Sequence, residues 1–400
     1  MSNSDSRIII AGGGIAGMAT ALALLQRGYD VELFEQAPEL KEVGAGVQIS
    51  PNGCRALDAL GVFDAVRRES VDPERKEFRL WNTGKSWLMF DLGGGAVSTY
   101  GYPYLTVYRP DLLAALVDGV KALKPDAIHL GKRVAGFEQD ADSVTLRLED
   151  GSEHKGVALI GCDGVRSVIR NQLWGESNPR YSGMVAWRGV IPMELLPERL
   201  RTRNGYTWIG PGGHAVSYPL RRGTLMNFVG TIERKDWVGE SWSLQGDAQE
   251  CKRDFAGWHE DLHAMIDSAP TLFKWALMVR EPMPKWTSGR ITLAGDAAHP
   301  TLPFLAQGAV HSIEDAVVLG RCFEKYMPDI PTVLQKYEDA RIERTSRMVR
   351  GATANTDRFH SAELATEEGA EAYLKREWSR EPIKERYDWL YRYDVLSVPV

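Results

Sequence analysis

The 400-residue chain has little of several features that mark particular classes of protein. Its four cysteines, Cys54, Cys162, Cys251 and Cys322, are widely scattered, and no two of them form a CxxC pair. This spacing argues against a zinc site and against a disulfide framework, and it fits a reducing compartment. We therefore expect unlinked thiols and no bound metal.

Basic charge and long apolar runs are also scarce. The 54 acidic residues outnumber the 48 basic ones, so the formal net charge of −6 leaves no broad basic surface for a nucleic acid. No apolar stretch approaches the ~18 residues that cross a bilayer, and no signal peptide precedes the first predicted strand. The sequence predicts a cytoplasmic enzyme of small molecules without a nucleic-acid partner or a membrane span, either monomeric or homodimeric.

What the chain does contain is a glycine loop between a predicted strand and a predicted helix. Residues 7–11 are typical of a strand, Gly12-Gly13-Gly14-Ile15-Ala16-Gly17 of a tight loop, and residues 18–25 of a buried helix. Gly12 permits the turn, Gly14 lets the backbone approach a pyrophosphate, and Gly17 lets the helix pack on the strand. The helix N-terminus at Ile15 and Ala16 would then face the phosphates.

The residue that follows the second predicted strand, which spans 30–34, indicates which dinucleotide binds. Glu35 at this place can accept hydrogen bonds from both ribose hydroxyls and would repel a 2′-phosphate, so FAD or NAD is expected and NADP is not. The adjacent Gln36 is a further candidate for cofactor binding. The glycine runs at 93–95 and 210–213 lack a flanking strand and helix, so we expect no dedicated NAD(P)H domain.

Two further segments resemble those of the single-component flavin aromatic hydroxylases, the family of p-hydroxybenzoate hydroxylase. The first is Gly161-Cys162-Asp163-Gly164 and its continuation to residue 170, and the second is Gly295-Asp296-Ala297-Ala298-His299-Pro300 and its continuation to residue 316. The resemblance covers nearly the whole chain. Within the family it is closest to the salicylate, 3-hydroxybenzoate and 6-hydroxynicotinate hydroxylases.

The resemblance implies FAD as the cofactor. Asp296 would hydrogen-bond the ribityl chain, while Gly308 and Ala309 would offer backbone amides to the isoalloxazine. The other cofactor-binding residues that it implies are Val47, Arg109, Asp163, Gly164 and Pro303. From the residues alone, Asp296 could instead cap a helix, Arg109 could be a solvated charge, and Asp163-Gly164 could form a hairpin turn.

The expected fold is α/β with two domains: a Rossmann-like FAD-binding domain and an inserted, mainly antiparallel β-sheet substrate domain, followed by a helical C-terminal region. We assign 1–75, 106–180 and 281–340 to the first domain, 76–105 and 181–280 to the second, and 341–400 to the C-terminal region. Short strands over 185–191, 206–209, 215–218 and 225–229 indicate the inserted sheet. A helix is expected over 51–68, and the aromatic run 387–393 is expected to pack or to form a dimer contact.

His214 and Tyr218 are the candidate catalytic residues. A strand with period two places positions 214, 216 and 218 on one face. An imidazole with a reference pKa of ~6.5 can accept a phenol proton near neutrality, and a tyrosine hydroxyl can orient the phenolate. The resemblance implies the same pair of active-site residues. Without the resemblance, a satisfied histidine at a sheet edge and a core tyrosine would be the simpler interpretation.

The substrate-binding candidates are His214, Tyr218, Gln48, Arg188 and Pro303. Gln48 stands where hydroxynicotinate hydroxylases can carry histidine, and Pro303 and its neighbour stand where a 3-hydroxybenzoate hydroxylase can carry glutamine and tyrosine. The pocket is therefore a copy of neither. Arg188 could pair with a substrate carboxylate or be a solvated strand residue.

The resemblance implies a monooxygenase that uses FAD, O2 and either NADH or NADPH to hydroxylate a phenolic or hydroxy-heteroaromatic acid. The oxidant would be a flavin C4a-hydroperoxide, and the ring carboxylate could be retained or lost. Two alternatives stay open: an FAD-bearing redox sensor that acts through the aromatic C-terminal tail, and a flavin halogenase. The halogenase pattern WxWxIP lacks its second tryptophan in the run from Trp187 to Pro192.

Overall fold

The computed structural model describes residues 7–40, 44–176, 179–235 and 244–400. Its strands, in chain order, are β1 (Ile8–Ala11), β2 (Val31–Phe34), β3 (Gly46–Ile49), β4 (Arg75–Leu80), β5 (Ser86–Asp91), β6 (Leu105–Tyr108), β7 (Ile128–His129), β8 (Val134–Gln139), β9 (Val144–Leu148), β10 (Glu153–Gly156), β11 (Ala158–Gly161), β12 (Arg180–Pro192), β13 (Gly205–Gly210), β14 (Gly213–Leu220), β15 (Leu225–Glu233), β16 (Gln245–Gly246), β17 (Leu272–Val279) and β18 (Ile291–Leu293). Its α-helices are α1 (Ile15–Leu25), α2 (Pro51–Ala59), α3 (Phe63–Glu69), α4 (Gly95–Tyr100), α5 (Arg109–Leu123), α6 (Val168–Trp174), α7 (Ala248–Asp254), α8 (Glu260–Ser268), α9 (Gly308–Tyr326), α10 (Ile330–Phe359), α11 (Glu367–Glu377) and α12 (Arg380–Tyr391).

A five-stranded parallel sheet forms the part predicted to be Rossmann-like. Its strand order is β18-β11-β1-β2-β7, and the first two strands in sequence flank α1. The central strand β1 is fully buried and apolar throughout, as is typical of a parallel strand covered on both faces. The glycine loop between β1 and α1 therefore lies at the carboxyl edge of this sheet.

An eight-stranded sheet forms the predicted insertion. Its order is β16-β17-β12-β15-β14-β13-β4-β5, and only the pairing of β4 with β13 is parallel among these strands as the structure describes them. The sheet draws on 75–91 and 180–279, close to the ranges assigned from the sequence. The mainly antiparallel character that the sequence predicts is confirmed.

Two expectations about helices need correction. The helix expected over 51–68 is two helices, α2 and α3, because Gly61 takes a left-handed conformation with φ of +69° just after the first one ends. The C-terminal region expected from residue 341 has no boundary there, because α10 runs without interruption from Ile330 to Phe359. No helix in the described ranges is long and apolar enough to cross a membrane.

The aromatic run near the C-terminus packs inside the chain. The rings of Tyr387 and Phe90 lie 5.0 Å apart, and those of Tyr391 and Tyr100 lie 5.5 Å apart, both edge to face. Tyr387 and Tyr391 are each only 4% exposed. The packing interpretation therefore accounts for these two side chains, which cover the eight-stranded sheet from its β5 side.

Candidate active site

One cavity of about 370 Å³ brings together most of the residues singled out in the sequence. The predicted residues in its wall are Gly14, Ile15, Ala16, Val47, Gln48, Arg109, Gly164, Arg188, His214, Tyr218, Asp296, Pro303, Gly308 and Ala309. The predicted residues outside the wall are Gly12, Gly17, Glu35, Gln36 and Asp163. The cavity therefore joins the glycine loop, the turn after β18 and the start of α9 to one face of the eight-stranded sheet.

The three glycines of the loop have different structural roles. Gly12 has φ of +103°, and a Cβ there would lie 2.4 Å from the carbonyl oxygen of Cys162. A Cβ on Gly17 would lie 1.9 Å from the carbonyl oxygen of Gly12, whereas a Cβ on Gly14 would meet no atom within 4 Å. Gly14 thus opens space in front of α1, which has no side-chain cap and no acidic residue in its first turn. This uncapped N-terminus fits a pyrophosphate.

Glu35 lies beside the glycine loop at the end of β2. Its carboxylate accepts hydrogen bonds from the backbone amides of Gly13, at 2.6 Å, and Ala37, at 2.8 Å. These two bonds hold the side chain beside the glycine loop, and its contact with an adenosine ribose stays a prediction. Gln36 is exposed next to it, and its contact with the cofactor stays a prediction.

Asp163 caps a helix instead of closing a hairpin turn. Its Oδ2 atom accepts hydrogen bonds from the amides of Val168, at 2.7 Å, and Ile169, at 3.2 Å, at the start of α6. Its Oδ1 atom is buried without a hydrogen-bond partner, and burial raises the pKa of this carboxyl. This oxygen is therefore a buried acceptor with unused hydrogen-bonding capacity next to Gly164, which lines the cavity.

Asp296 and the start of α9 present complementary groups to the same cavity. The Asp296 side chain is exposed to the cavity, where desolvation by the surrounding protein raises the pKa of its carboxyl while His299 and Arg109 oppose the rise. Gly308 and Ala309 begin α9, which has no side-chain cap, so the first amides lack intrahelical partners. An acceptor for a polyol and donors for an electron-rich pyrimidine edge are the groups that a flavin needs.

A buried ion-pair network holds the segment after β18 against α9 and α10. Asp315 accepts hydrogen bonds from the amide of Gly295, at 3.0 Å, and from Nε2 of His299, at 2.6 Å. The Nε atom of Arg341 lies 2.8 Å from the other carboxylate oxygen. His299 therefore supports the turn that carries Asp296.

His214, Val216 and Tyr218 all line the cavity, so the predicted shared face of β14 is confirmed. The strand register extends that face to the neighbouring strands. His214 is paired with Thr231 of β15, and Thr231 is paired with Ala186 of β12. One side of the cavity is therefore the inner face of the eight-stranded sheet.

His214 is the inner member of a chain of three polar side chains. Its Nδ1 atom lies 2.7 Å from Nε2 of His360, and Nδ1 of His360 lies 2.9 Å from Oε1 of Glu233. Because the carboxylate can only accept, His360 carries its proton on Nδ1 and accepts the Nδ1 proton of His214 at Nε2. The Nε2 atom of His214 is then an unprotonated acceptor on a residue that faces the cavity.

The electrostatic surroundings of His214 favour its neutral form. Burial lowers the pKa of His214 well below its ordinary value, and the nearby His360 and Lys76 lower it further. Sequence reasoning missed His360, which lies 146 residues away just after α10. A single histidine at a helix end carries no local signal for such a contact.

A second polar group forms around Lys76, which lies in the same row of the eight-stranded sheet as Tyr218. The Oε1 atom of Gln48 accepts hydrogen bonds from the Tyr104 hydroxyl, at 2.8 Å, and from Nζ of Lys76, at 3.2 Å. Burial raises the pKa of Tyr104 and Tyr218, and it lowers the pKa of Lys76 to about 8. Sequence reasoning missed Lys76, although its period-two relation to buried Phe78 was an available signal.

Arg188 also faces the cavity from β12. Its guanidinium lies over the indole ring of Trp275, 5.1 Å from the ring centre. The solvated-strand alternative therefore does not describe its surroundings, and its contact with a substrate carboxylate stays a prediction.

Comparison with known proteins agrees with this geometry. The model of the FAD_binding_3 family, described as an FAD binding domain, matches residues 5–352. The chain is 35% identical to 3-amino-4-hydroxybenzoate 2-monooxygenase PtnB3 of Streptomyces platensis, with 100% of this chain and 98% of the relative covered. It is also 35% identical to 3-hydroxybenzoate 6-hydroxylase of Polaromonas naphthalenivorans and to 6-hydroxynicotinate 3-monooxygenase of Bordetella bronchiseptica, with 98% of this chain and 97% of each relative covered. The Klebsiella pneumoniae HpxO structure with FAD and uric acid superposes with a TM-score of 0.83 at 28% identity, over 98% and 97% of the two chains.

The fold and the cavity define an FAD-dependent monooxygenase of the aromatic hydroxylase class. The chain belongs to the FAD_binding_3 family. The resemblance to the 3-hydroxybenzoate and 6-hydroxynicotinate hydroxylases is confirmed by the matches to both enzymes. FAD is the cofactor of this class, and the uncapped helix ends, Gly14 and the Asp163 oxygen are compatible with it.

Proposed function

We propose that the protein uses NAD(P)H and O2 to hydroxylate a phenolic or hydroxy-heteroaromatic acid, and that His214 accepts the proton of the ring hydroxyl. The observation that carries this proposal is the chain His214–His360–Glu233, which leaves Nε2 of His214 as an acceptor in the cavity. The relatives support the substrate class, because their names describe hydroxybenzoates and a hydroxynicotinate.

The residues on the other side of the cavity would hold FAD, which supplies the activation of oxygen when it is bound. Gly14 and the start of α1, with Ile15 and Ala16, would bind the pyrophosphate, and Glu35 would bind the adenosine ribose. Asp296 would accept hydrogen bonds from the ribityl chain, and the amides of α9 would face the isoalloxazine. The remaining proposed cofactor contacts are Gln36, Val47, Arg109, Asp163, Gly164, Pro303, Gly308 and Ala309.

His214 would remove a proton from the ring hydroxyl, which makes the ring carbons more nucleophilic. As Nε2 of His214 takes that proton, Nδ1 can pass its own proton to Nε2 of His360. The positive charge then lies on His360 next to the Glu233 carboxylate, whose side chain is 55% exposed. Burial also lowers the pKa of His360, but the Glu233 carboxylate opposes that fall, so the charge is better stabilised on His360 than on His214.

Tyr218 would act as a hydrogen-bond donor to a substrate oxygen. Burial raises its pKa, so the hydroxyl stays protonated at neutral pH. Gln48, Arg188 and Pro303 would complete the substrate side of the wall. The choice between NADH and NADPH, the site of hydroxylation and the loss of a carboxylate are separate questions for experiment, and cytoplasmic location and a monomeric or homodimeric state stay predictions of the sequence.

The two alternatives are less well supported. A flavin halogenase would carry its second tryptophan at Gly189, where even a Cβ would lie 3.1 Å from Leu272 and 3.2 Å from Ala269. A redox sensor acting through the C-terminal tail would need that tail exposed, whereas Tyr387 and Tyr391 are buried against the cavity. Both observations favour a hydroxylase.

The experiment is NADH and NADPH oxidation by the FAD-loaded protein with salicylate, 3-hydroxybenzoate, 4-hydroxybenzoate and 6-hydroxynicotinate. Hydroxylated product and hydrogen peroxide are quantified together. We expect the wild type to form as much hydroxylated product as the reductant it consumes. His214→Ala should lose product formation while FAD stays bound. Reductant consumption that no aromatic acid stimulates, or product formation unchanged in His214→Ala, would contradict the proposal.

A further inference from the structure

Lys76 is a partly buried cation that lines the cavity without an acidic partner in the described ranges. Its Nζ atom has one hydrogen-bond partner, the uncharged Oε1 of Gln48 at 3.2 Å, and it forms no ion pair with any residue of the described ranges. Its pKa falls to about 8 because burial alone opposes the charge, with no carboxylate to offset it. Even a partly desolvated ammonium carries a free-energy cost, which a bound anion would offset.

The sheet places Lys76 in the same row as Tyr218. Lys76 of β4 is paired with Gly205 of β13, and Gly205 lies opposite Tyr218 of β14. A Cβ on Gly205 would lie 3.7 Å from Cβ of Tyr218 and 3.9 Å from Cγ of Lys76, so the missing side chain leaves space between the two. Gln48 and Tyr104 close this corner with their hydrogen bonds.

The corner lies at a distance from His214 that suits the two ends of one small ligand. His214 and Tyr218 are four residues apart on β14, which is about 13 Å of strand at about 3.3 Å per residue. The side chains at both ends line the same cavity, and Lys76 is close enough for its charge to lower the pKa of His214. A ring held with its hydroxyl at His214 would therefore direct a substituent toward Lys76.

Charge in the cavity wall also favours an anion. The wall contains three cationic side chains, Lys76, Arg109 and Arg188, and one carboxylate, Asp296, which is on the cofactor side near Arg109. Arg188 lies against Trp275, whereas the ammonium of Lys76 is a compact donor with open hydrogen-bonding capacity.

We propose that Lys76 binds the ring carboxylate of the substrate and thereby makes the enzyme specific for aromatic acids over their uncharged analogues. This inference rests on the proposed function, because it assigns one end of the same substrate. The carboxylate replaces the missing counter-ion of Lys76, while Gln48 orients the ammonium and Tyr218 donates to a substrate oxygen beside it. Lys76 is a specificity-determining residue and takes no part in proton transfer.

The test compares pairs of ligands that differ in one charge. Dissociation constants are measured by calorimetry on the FAD-loaded protein at pH 7 for 3-hydroxybenzoate, 4-hydroxybenzoate and 6-hydroxynicotinate and for the three corresponding carboxamides. The variants are Lys76→Met, Lys76→Arg, Arg188→Met and, as a control on the surface, Lys132→Met. FAD content and the melting temperature check folding, and Lys76→Gln is measured in the same way should the methionine variant lose FAD.

The expected result is that the wild type and Lys132→Met prefer at least one acid over its amide, and that Lys76→Met weakens that acid by about 30-fold or more with little change for the amide. Lys76→Arg should retain part of the preference. An unchanged acid-to-amide ratio in Lys76→Met, loss of the preference in Arg188→Met instead, or no binding of any acid would each overturn the proposal. Lys76-dependent binding without hydroxylated product would support the carboxylate site and contradict the proposed function.

Discussion

Nδ1 of His214 lies 2.7 Å from Nε2 of His360, and this contact joins the floor of the cavity to Glu233 at the surface. The arrangement fixes the tautomer of His214 and gives its displaced proton a destination. We predict that His360→Asn lowers the rate of hydroxylation at pH 7 by about 10- to 100-fold without loss of FAD, since general bases typically contribute 10²–10⁴-fold. Product formation and the bound flavin spectrum measure the two effects.

The control for this prediction is His263→Gln, which changes a histidine of α8 outside the cavity wall. If His360 acts through His214, the double variant His214→Ala/His360→Asn should be no slower than His214→Ala alone. Additive losses in the double variant, or full activity in His360→Asn, would show that the contact has no part in the reaction.

The sequence allows the FAD side of the molecule to be predicted more completely than the substrate side. Gly12, Gly14 and Gly17 lie within six residues of one another, and their spacing follows from local backbone sterics, so their roles can be predicted without a structure. His360 and Lys76 reach the cavity through the packing of α10 and through the register of β4 on β13. Both arrangements join residues that are far apart in the sequence, so no local pattern predicts them. The break at Gly61 was missed because the apolar spacing continues on both sides of it.

Gly14 and Gly17 offer a matched pair of substitutions. We predict that Gly14→Ala leaves the stability of the FAD-free protein within about 0.5 kcal/mol of the wild type, because the new Cβ meets nothing within 4 Å. The same methyl group would occupy the space in front of α1, so the affinity for FAD should fall by roughly tenfold or more, which is about 1.4 kcal/mol. Denaturant unfolding and flavin titration measure the two quantities.

Gly17→Ala should show the opposite pattern. Its Cβ would lie 1.9 Å from the carbonyl oxygen of Gly12, so the FAD-free protein itself should lose about 1–3 kcal/mol or fail to fold. Equal stability of the two alanine variants would contradict the division between packing and phosphate binding. Unchanged FAD affinity in Gly14→Ala would place the pyrophosphate elsewhere.

Asp315 is the central acceptor of the buried network. Burial alone would raise the pKa of this carboxyl, but His299 and Arg341 outweigh it and hold the pKa well below its ordinary value. The group is therefore charged throughout the neutral range. We predict that Asp315→Asn lowers the free energy of unfolding by about 3 kcal/mol, because it leaves buried donors without their charged acceptor. FAD should also dissociate more readily, since the turn that carries Asp296 is held by Gly295 and His299.

The control for Asp315 is Asp339→Asn, an exposed carboxylate on α10 whose nearest cation, Lys336, is 3.8 Å away. Surface substitutions of this kind usually change stability by less than about 0.5 kcal/mol. A wild-type unfolding curve and wild-type FAD affinity in Asp315→Asn would mean that the network does not support the flavin turn.

Lys76 gives the binding of aromatic acids a specific pH dependence. Its pKa of about 8 in the free enzyme means that the ammonium is charged at pH 7 and loses its proton as the pH rises through 8. The titratable groups around it are His214, neutral at pH 7, and Tyr104 and Tyr218, whose raised pKa values keep them protonated. The affinity for a carboxylate ligand should therefore fall above pH 8, while the affinity for its carboxamide stays level. Parallel curves for the two ligands would contradict this assignment.

The same partly buried charge should lower the stability of the substrate-free enzyme, and Lys76→Met should restore the lost stability. Below pH 8 the lysine is protonated in both the folded and the unfolded chain, so the full penalty of the buried charge applies. Between pH 8 and the ordinary lysine value of 10.5 the folded protein gives up its proton first, and the penalty shrinks until it vanishes above that range. Lys76→Met should thus raise the free energy of unfolding by about 1–2 kcal/mol at pH 7, with the gain declining toward pH 10.

Denaturant unfolding of the FAD-loaded, substrate-free protein at pH 7, 8.5 and 10 measures the difference, and a saturating aromatic acid should reverse it at pH 7. A methionine variant that is less stable at every pH would mean that Lys76 already has a counter-charge in the free enzyme.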